Sequence, residues 1–127
     1  MIILIAEDFD DTRQMMKLLL EMRGHRVVEA ANGQEAVELA TSQRPDLILM
    51  DLNMPVLDGI TATLLLQGRP ETSGVPVVAV TAHCGDPVWR DRALAAGCVE
   101  CVAKPVDFEQ LEGLLDRMLP KKQATGD

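Results

Sequence analysis

Leu47 to Gly59 reads LILMDLNMPVLDG. Four apolar residues, Leu47 to Met50, run straight into Asp51, and the chain then breaks at Pro55 and again at Asp58-Gly59. An apolar run this short and this abruptly ended reads as a strand buried on both faces, as in parallel sheets covered by helices. Asp51 then sits where the strand leaves the core, as a solvated strand end or as a reactive group. What else arrives at that edge of the sheet decides between the two.

Working outward, apolar strand-like runs alternate with helical patterns, without internal repeats or low-complexity linkers. Ile2 to Ala6 forms a first strand that ends in Glu7-Asp8. Asp10 or Asp11 is placed to cap a helix whose apolar positions Met15, Leu18, Leu19 and Met22 recur at helical spacing until Gly24. Arg26 to Glu29 is a short second strand. Asn32 with Glu35 makes a capping-box start for a second helix carrying Ala36, Leu39 and Ala40, and Pro45 ends that unit. Helix three runs from about Gly59 to Leu66, followed by a loop from Pro70 to Pro76. Strand four, Val77 to Val80, ends in Thr81. Asp86-Pro87 starts helix four, which closes at Gly97. Val99 to Ala103 is strand five, delivering Lys104-Pro105, and Asp107 caps a last helix through Leu119, ending at Pro120.

Five strands alternating with five helices imply an α/β fold, a parallel sheet with helices on its two faces. In such open sheets ligands bind at the carboxyl ends of the strands. Glu7-Asp8, Asp51, Thr81 and Lys104 all stand there. Each alone has a structural reading as helix cap, turn or β-former. Together they place three mutually repelling carboxylates at one site, which must protonate or hold a cation. A small set of oxygen ligands suits Mg²⁺ better than a soft metal. Lys104 faces the remaining negative charge. A nucleophilic carboxylate, a metal, a second cation and a hydroxyl are what phosphoryl transfer requires, with Asp51 as nucleophile and Thr81 as the hydroxyl.

Composition narrows the alternatives. The chain has 127 residues, the length of one domain, with 47% hydrophobic and 25% charged residues, which argues against disorder. Its net charge of −8 repels nucleic acid and anionic lipid, and 2% aromatic content leaves little for base stacking. The apolar start, Met1 to Ala6, lacks a basic leader and is too short for a membrane span, so a cytoplasmic location follows by default. Cys98-Val-Glu-Cys101 matches C-x-x-C, the mark of a redox pair or half a zinc site. The redox motif belongs at a helix N-terminus, and zinc needs two more ligands. His83 and Cys84 follow the carboxyl end of strand four, whereas Cys98 precedes the amino end of strand five. At about 3.3 Å per residue, that strand keeps Cys84 and Cys98 more than about 10 Å apart.

On ILIAEDFDD, LILMDLNMPVLDG, VVAVTAH and AKP, the chain resembles the receiver domains of bacterial two-component response regulators, over essentially all of Ile2 to Leu119. The resemblance implies a doubly wound, flavodoxin-like sheet of order 2-1-3-4-5, with residues 1–120 as receiver and 121–127 as a polar, frayed tail. It implies that Asp51 accepts a phosphoryl group from a phosphohistidine on a histidine kinase or histidine phosphotransfer protein. Asp8, Asp51 and the backbone carbonyl of Asn53 would bind Mg²⁺ directly, with Mn²⁺ a substitute and Glu7 acting mainly through water. Lys104 would contact the phosphoryl group, Thr81 would move toward it, and a cis Lys104–Pro105 bond would aim the lysine inward. The output would be contact with a downstream protein through helix four, strand five and helix five, and the kinase would use the first helix.

One departure stands out. Receivers usually carry Tyr or Phe three residues before the lysine, and here that position is Cys101. A thiol cannot trade a buried for an exposed pose as a ring does, so switching is expected to rely on the loop from His83 to Asp86 and on helix four. His83 stands at the site mouth or is an exposed loop residue, and Trp89, in the first turn of helix four, reads as a partly buried anchor. No DNA-binding or catalytic domain follows Leu119, which suggests a stand-alone regulator; a receiver excised from a hybrid kinase or larger regulator is the alternative. A haloacid dehalogenase-type phosphohydrolase is disfavoured, since its acid/base aspartate would fall at Asn53, and an amide cannot transfer that proton.

Overall fold

The computed structural model describes residues 1–118, so the end of the last helix at Leu119 and Pro120 and the 121–127 tail lie outside the described residues. Strands β1 (Ile2–Ala6), β2 (Arg26–Ala30), β3 (Leu47–Asp51), β4 (Val77–Thr81) and β5 (Glu100–Ala103) form one parallel sheet in the order β2-β1-β3-β4-β5. Between and after them run α1 (Asp10–Met22), α2 (Gly33–Gln43), α3 (Gly59–Gln67), α4 (Pro87–Ala96) and α5 (Phe108–Met118).

The period of two along each strand divides the core. Leu4, Ala6, Ile48, Met50, Val77 and Ala79 point to one face, where α2, α3 and α4 contribute Ala36, Val37, Ala40, Ala62, Leu66 and Ala93. Ile3, Ile5, Leu47, Leu49, Val78 and Val80 point to the other, against Met16 and Leu20 of α1 and Leu111, Leu114 and Leu115 of α5. Strands β3 and β4 are buried along their whole length, which is why they read as unbroken apolar runs rather than alternating ones.

Capping residues set the helix starts. The Asn32 side chain accepts from the Glu35 N–H at 2.8 Å, while Glu35 reaches back to the Ala31 N–H at 2.9 Å. Asp58 accepts from the Thr61 N–H, Asp86 from the Val88 N–H, and Asp107 from the Gln110 N–H. Helix α2 stops at Arg44, at φ 51°, because the following Pro45 keeps Arg44 out of the right-handed helical region.

Helix α1 departs from expectation twice. Its N-cap is Phe9, with no side-chain cap, and Asp10 and Asp11 lie in the first turn, where their charges favour the positive end of the helix dipole. The buried stripe is Met16 and Leu20, flanked by Leu19, one step round from the expected one; Met15, Leu18 and Met22 face solvent. Strand β2 runs one residue further than the sequence suggested, to Ala30, and β5 starts one later, at Glu100.

Candidate functional site

The sheet register brings the strand ends together. Ala6 is level with Met50, Asp51 with Val80, and Thr81 with Ala103, so Glu7, Asp51, Thr81 and Lys104 leave the sheet along one edge. Gly59 lets α3 close against that edge: a Cβ there would lie 2.2 Å from the Asp51 carbonyl oxygen. The Asp-Gly that ends LILMDLNMPVLDG is thus both a cap for α3 and a point of close approach between α3 and the strand that carries Asp51.

Carboxylate oxygens of Glu7, Asp8 and Asp51 all lie within 4.8 Å of one another. Glu7 and Asp51 are buried, and Asp8 is exposed. The Lys104 ammonium stands 2.6 Å from Glu7 Oε1 and 3.1 Å from Asp51 Oδ2. Burial by itself would lower the Lys104 pKa, but hydrogen bonds and charge from Glu7 and Asp51 overcome this and hold it above the ordinary lysine value. The Asn53 N–H donates to Asp51 Oδ1 at 3.1 Å. The peptide bond between Lys104 and Pro105 is cis, and the Lys104 N–H is tied to the Thr81 carbonyl at 3.0 Å. The Thr81 side chain is buried, and its hydroxyl accepts from the His83 N–H at 3.1 Å.

Three carboxylates face one ammonium here, which leaves two negative charges in a largely buried place. Glu7 Oε1 is buried, and its close polar neighbour is the lysine ammonium. An all-oxygen donor set with that surplus charge fits a hard divalent cation rather than zinc or copper. Among the described residues it is the one group of three or more acidic, His or Cys side chains close enough to hold a metal. The cysteines make no such group. The thiol of Cys98 pairs with the Thr63 hydroxyl at 3.8 Å, and Cys101 lies near Cys84.

Several positions gain or lose weight. The His83 ring lies over Trp89, with centroids 5.4 Å apart, and the Arg92 guanidinium sits 4.9 Å from the Trp89 ring. His83 is exposed and Trp89 half-buried against the α2–α4 core. Arg13 is a residue that sequence reading missed. Its guanidinium donates to the Glu7 carbonyl at 2.8 Å and pairs with Asp10 and Glu29, which fixes the backbone between Glu7 and Asp8. The sequence signal was present in its spacing, one turn into α1 from the acidic pair.

A doubly wound parallel sheet with an acidic cluster and a lysine at its carboxyl edge defines the class: a small α/β domain of flavodoxin-like topology with a cation-ready site. The family model for the response regulator receiver domain matches residues 3–116. Protein PilH of Pseudomonas aeruginosa is 39% identical over 119 residues, covering 92% of this chain and 96% of that one. The receiver domain of sensor histidine kinase PA1611 from Pseudomonas aeruginosa PAO1, solved with a magnesium ion coordinated in the active site cleft, superposes with a TM-score of 0.85. It is 36% identical, covering 92% of this chain and 95% of that one. Chemotaxis protein CheY4 of Vibrio cholerae gives a TM-score of 0.88 at 30% identity, covering 93% and 98%. The chain belongs to the response regulator receiver domain family. It is a signalling switch of two-component type rather than a metabolic enzyme. No helix among the described residues is long and apolar enough to cross a membrane.

Proposed function

We propose that Asp51 is the phosphoacceptor of this switch, and that it takes a phosphoryl group from a phosphohistidine of a histidine kinase or histidine phosphotransfer protein. The observation that carries this reading is the convergence of Glu7, Asp8 and Asp51 with Lys104 at one sheet edge. Asp51 presents a carboxylate oxygen as nucleophile at the end of a rigid buried strand, which fixes its position for in-line attack. The Asn53 N–H donates to one of its oxygens and the Lys104 ammonium to the other, which orients the carboxylate. Asp8, Asp51 and the Asn53 carbonyl would hold Mg²⁺, with Glu7 acting through water and Mn²⁺ a substitute. When bound, that ion screens the carboxylates and the incoming phosphoryl oxygens from one another. Lys104 then turns to a phosphoryl oxygen and the Thr81 hydroxyl donates to another, so the domain catalyses its own phosphorylation and dephosphorylation.

On this reading the histidine-bearing partner docks on α1. Exposed Met15, Leu18 and Met22 lie along that helix, and a cavity of about 500 Å³ between Met15 and the 104–106 segment opens beside Lys104. The signal passes to a downstream protein through altered contacts.

Intact mass after incubation with acetyl phosphate and Mg²⁺ tests the assignment. The native chain should gain one phosphoryl group and Asp51→Asn none; equal gain by both would refute it.

A further inference from the structure

Cys84 and Cys101 take no part in the acidic site, yet the fold brings them together. Cys101 lies on β5 level with Ala79 of β4, and packs against the α2–α4 core. Cys84 is buried three residues beyond the end of β4, in a turn closed by the Asp86 N–H donating to the His83 carbonyl at 2.9 Å. Both residues line one open cavity of about 430 Å³ between β5 and α5, with Glu100, Gln110, Gly113 and Arg117 among its walls. A small solute reaching that cavity meets both residues.

Cys84 also bears on the ionisation of Cys101. Burial pushes the Cys101 thiol up, to about 12, and the hydrogen bond and charge of Cys84 push the same way. Cys101 therefore keeps its proton and donates toward Cys84, the arrangement in which one sulfur attacks and the other resolves. The third thiol, Cys98, is engaged by Thr63.

We infer that Cys84 and Cys101 form a dithiol that a peroxide closes to an intramolecular disulfide, pinning the 82–86 loop to β5. The Cys84 sulfur, as thiolate, attacks a peroxide oxygen; the O–O bond breaks, and the departing hydroxide takes up a proton as water. The Cys101 sulfur then attacks the Cys84 sulfenic acid. An S–S bond forms, the S–O bond breaks, and the hydroxyl leaves with the Cys101 proton as a second water. The two sulfurs together lose two electrons and the peroxide gains them. The loop so pinned begins directly after Thr81, and a transient bond of this kind is how cytosolic disulfides usually act.

The whole chain is treated with hydrogen peroxide without denaturant, its remaining thiols are blocked with N-ethylmaleimide, and intact mass and peptides are read. The expected result is loss of two hydrogen atoms, one maleimide adduct instead of three, and a peptide joining positions 84 and 101 that dithiothreitol separates. Cys98→Ser should form the same link, which shows that the third thiol is dispensable. A Cys98–Cys101 link, a dimer between chains, or three adducts as in the untreated chain would overturn the inference. A second arm rests on the phosphoacceptor reading: the linked protein should take up phosphoryl from acetyl phosphate slower by about threefold or more, recovering on reduction. An unchanged rate with the link proven refutes the pinning. A reduced chain that takes up no phosphoryl group indicts Asp51 instead, and the mass arm still decides the disulfide.

Discussion

Val56 sits in the loop after β3 at φ 68°, exposed over 80% of its surface. A β-branched residue in the left-handed region is strained, and nothing packs on it to repay that strain. Val56→Asn, a residue that tolerates this region, should stabilise the fold by about 1 kcal/mol, read as a higher denaturation midpoint. The crowded carboxylates give an opposite pair of effects. Asp8→Asn removes one repelling charge, so in the presence of a chelator it should melt above the native chain. In Mg²⁺ the order should reverse, because a ligand at about 100 times its dissociation constant adds about 2.7 kcal/mol to the native chain alone. Melting curves in both buffers check this, and an order unchanged by Mg²⁺ would contradict it. At this scale the convergence of Glu7, Asp8, Asp51 and Lys104 was legible because each stands at the end of a strand, where sequence position fixes spatial position. Arg13 was not, since its partner is a backbone carbonyl, and a main-chain acceptor leaves no mark in a side-chain pattern.

Among the elements, α1 shows where pattern reading fails. MMKLLLEM offers apolar residues in nearly every direction, so periodicity admits more than one stripe, and only the position of the sheet selects Met16 and Leu20. Leu20→Ala should cost about 2–5 kcal/mol, and exposed Leu18→Ala no more than about 0.5 kcal/mol, in chemical denaturation. Equal costs would mean the helix is rotated. Helix α3 depends on its cap. Burial tends to raise the Asp58 pKa, but hydrogen bonds from the Thr61 N–H and hydroxyl outweigh it and hold the carboxyl below its usual 3.8. A carboxyl depressed in the folded state stabilises above its unfolded value, and that contribution is lost as pH falls through the folded value. Asp58→Ala should therefore cost about 1 kcal/mol near neutral pH, with the gap to the native chain closing in acid below the ordinary aspartate range. A gap independent of pH would point to a steric rather than a charged cap.

For the whole molecule, alternating strands and helices were enough to give a parallel sheet, and the strand order expected from resemblance is the one observed. Contacts that depend on how loops fold back were hidden. Cys84 was weighed only against Cys98 across the length of a strand, yet the turn after β4 carries it to Cys101 instead. The same turn stacks His83 on Trp89, so the loop expected to replace the missing aromatic is joined to α4 by ring contact. The central claim remains one of convergence: groups from positions 7, 8, 51 and 104 act as one phosphoryl-accepting site. Its most direct test is to locate the phosphoryl group, by borohydride trapping and peptide mapping of the native chain treated with acetyl phosphate in Mg²⁺ or in excess chelator. Label at Asp51 alone, and only with Mg²⁺, is the predicted result. Label elsewhere, or equal label in chelator, would contradict it.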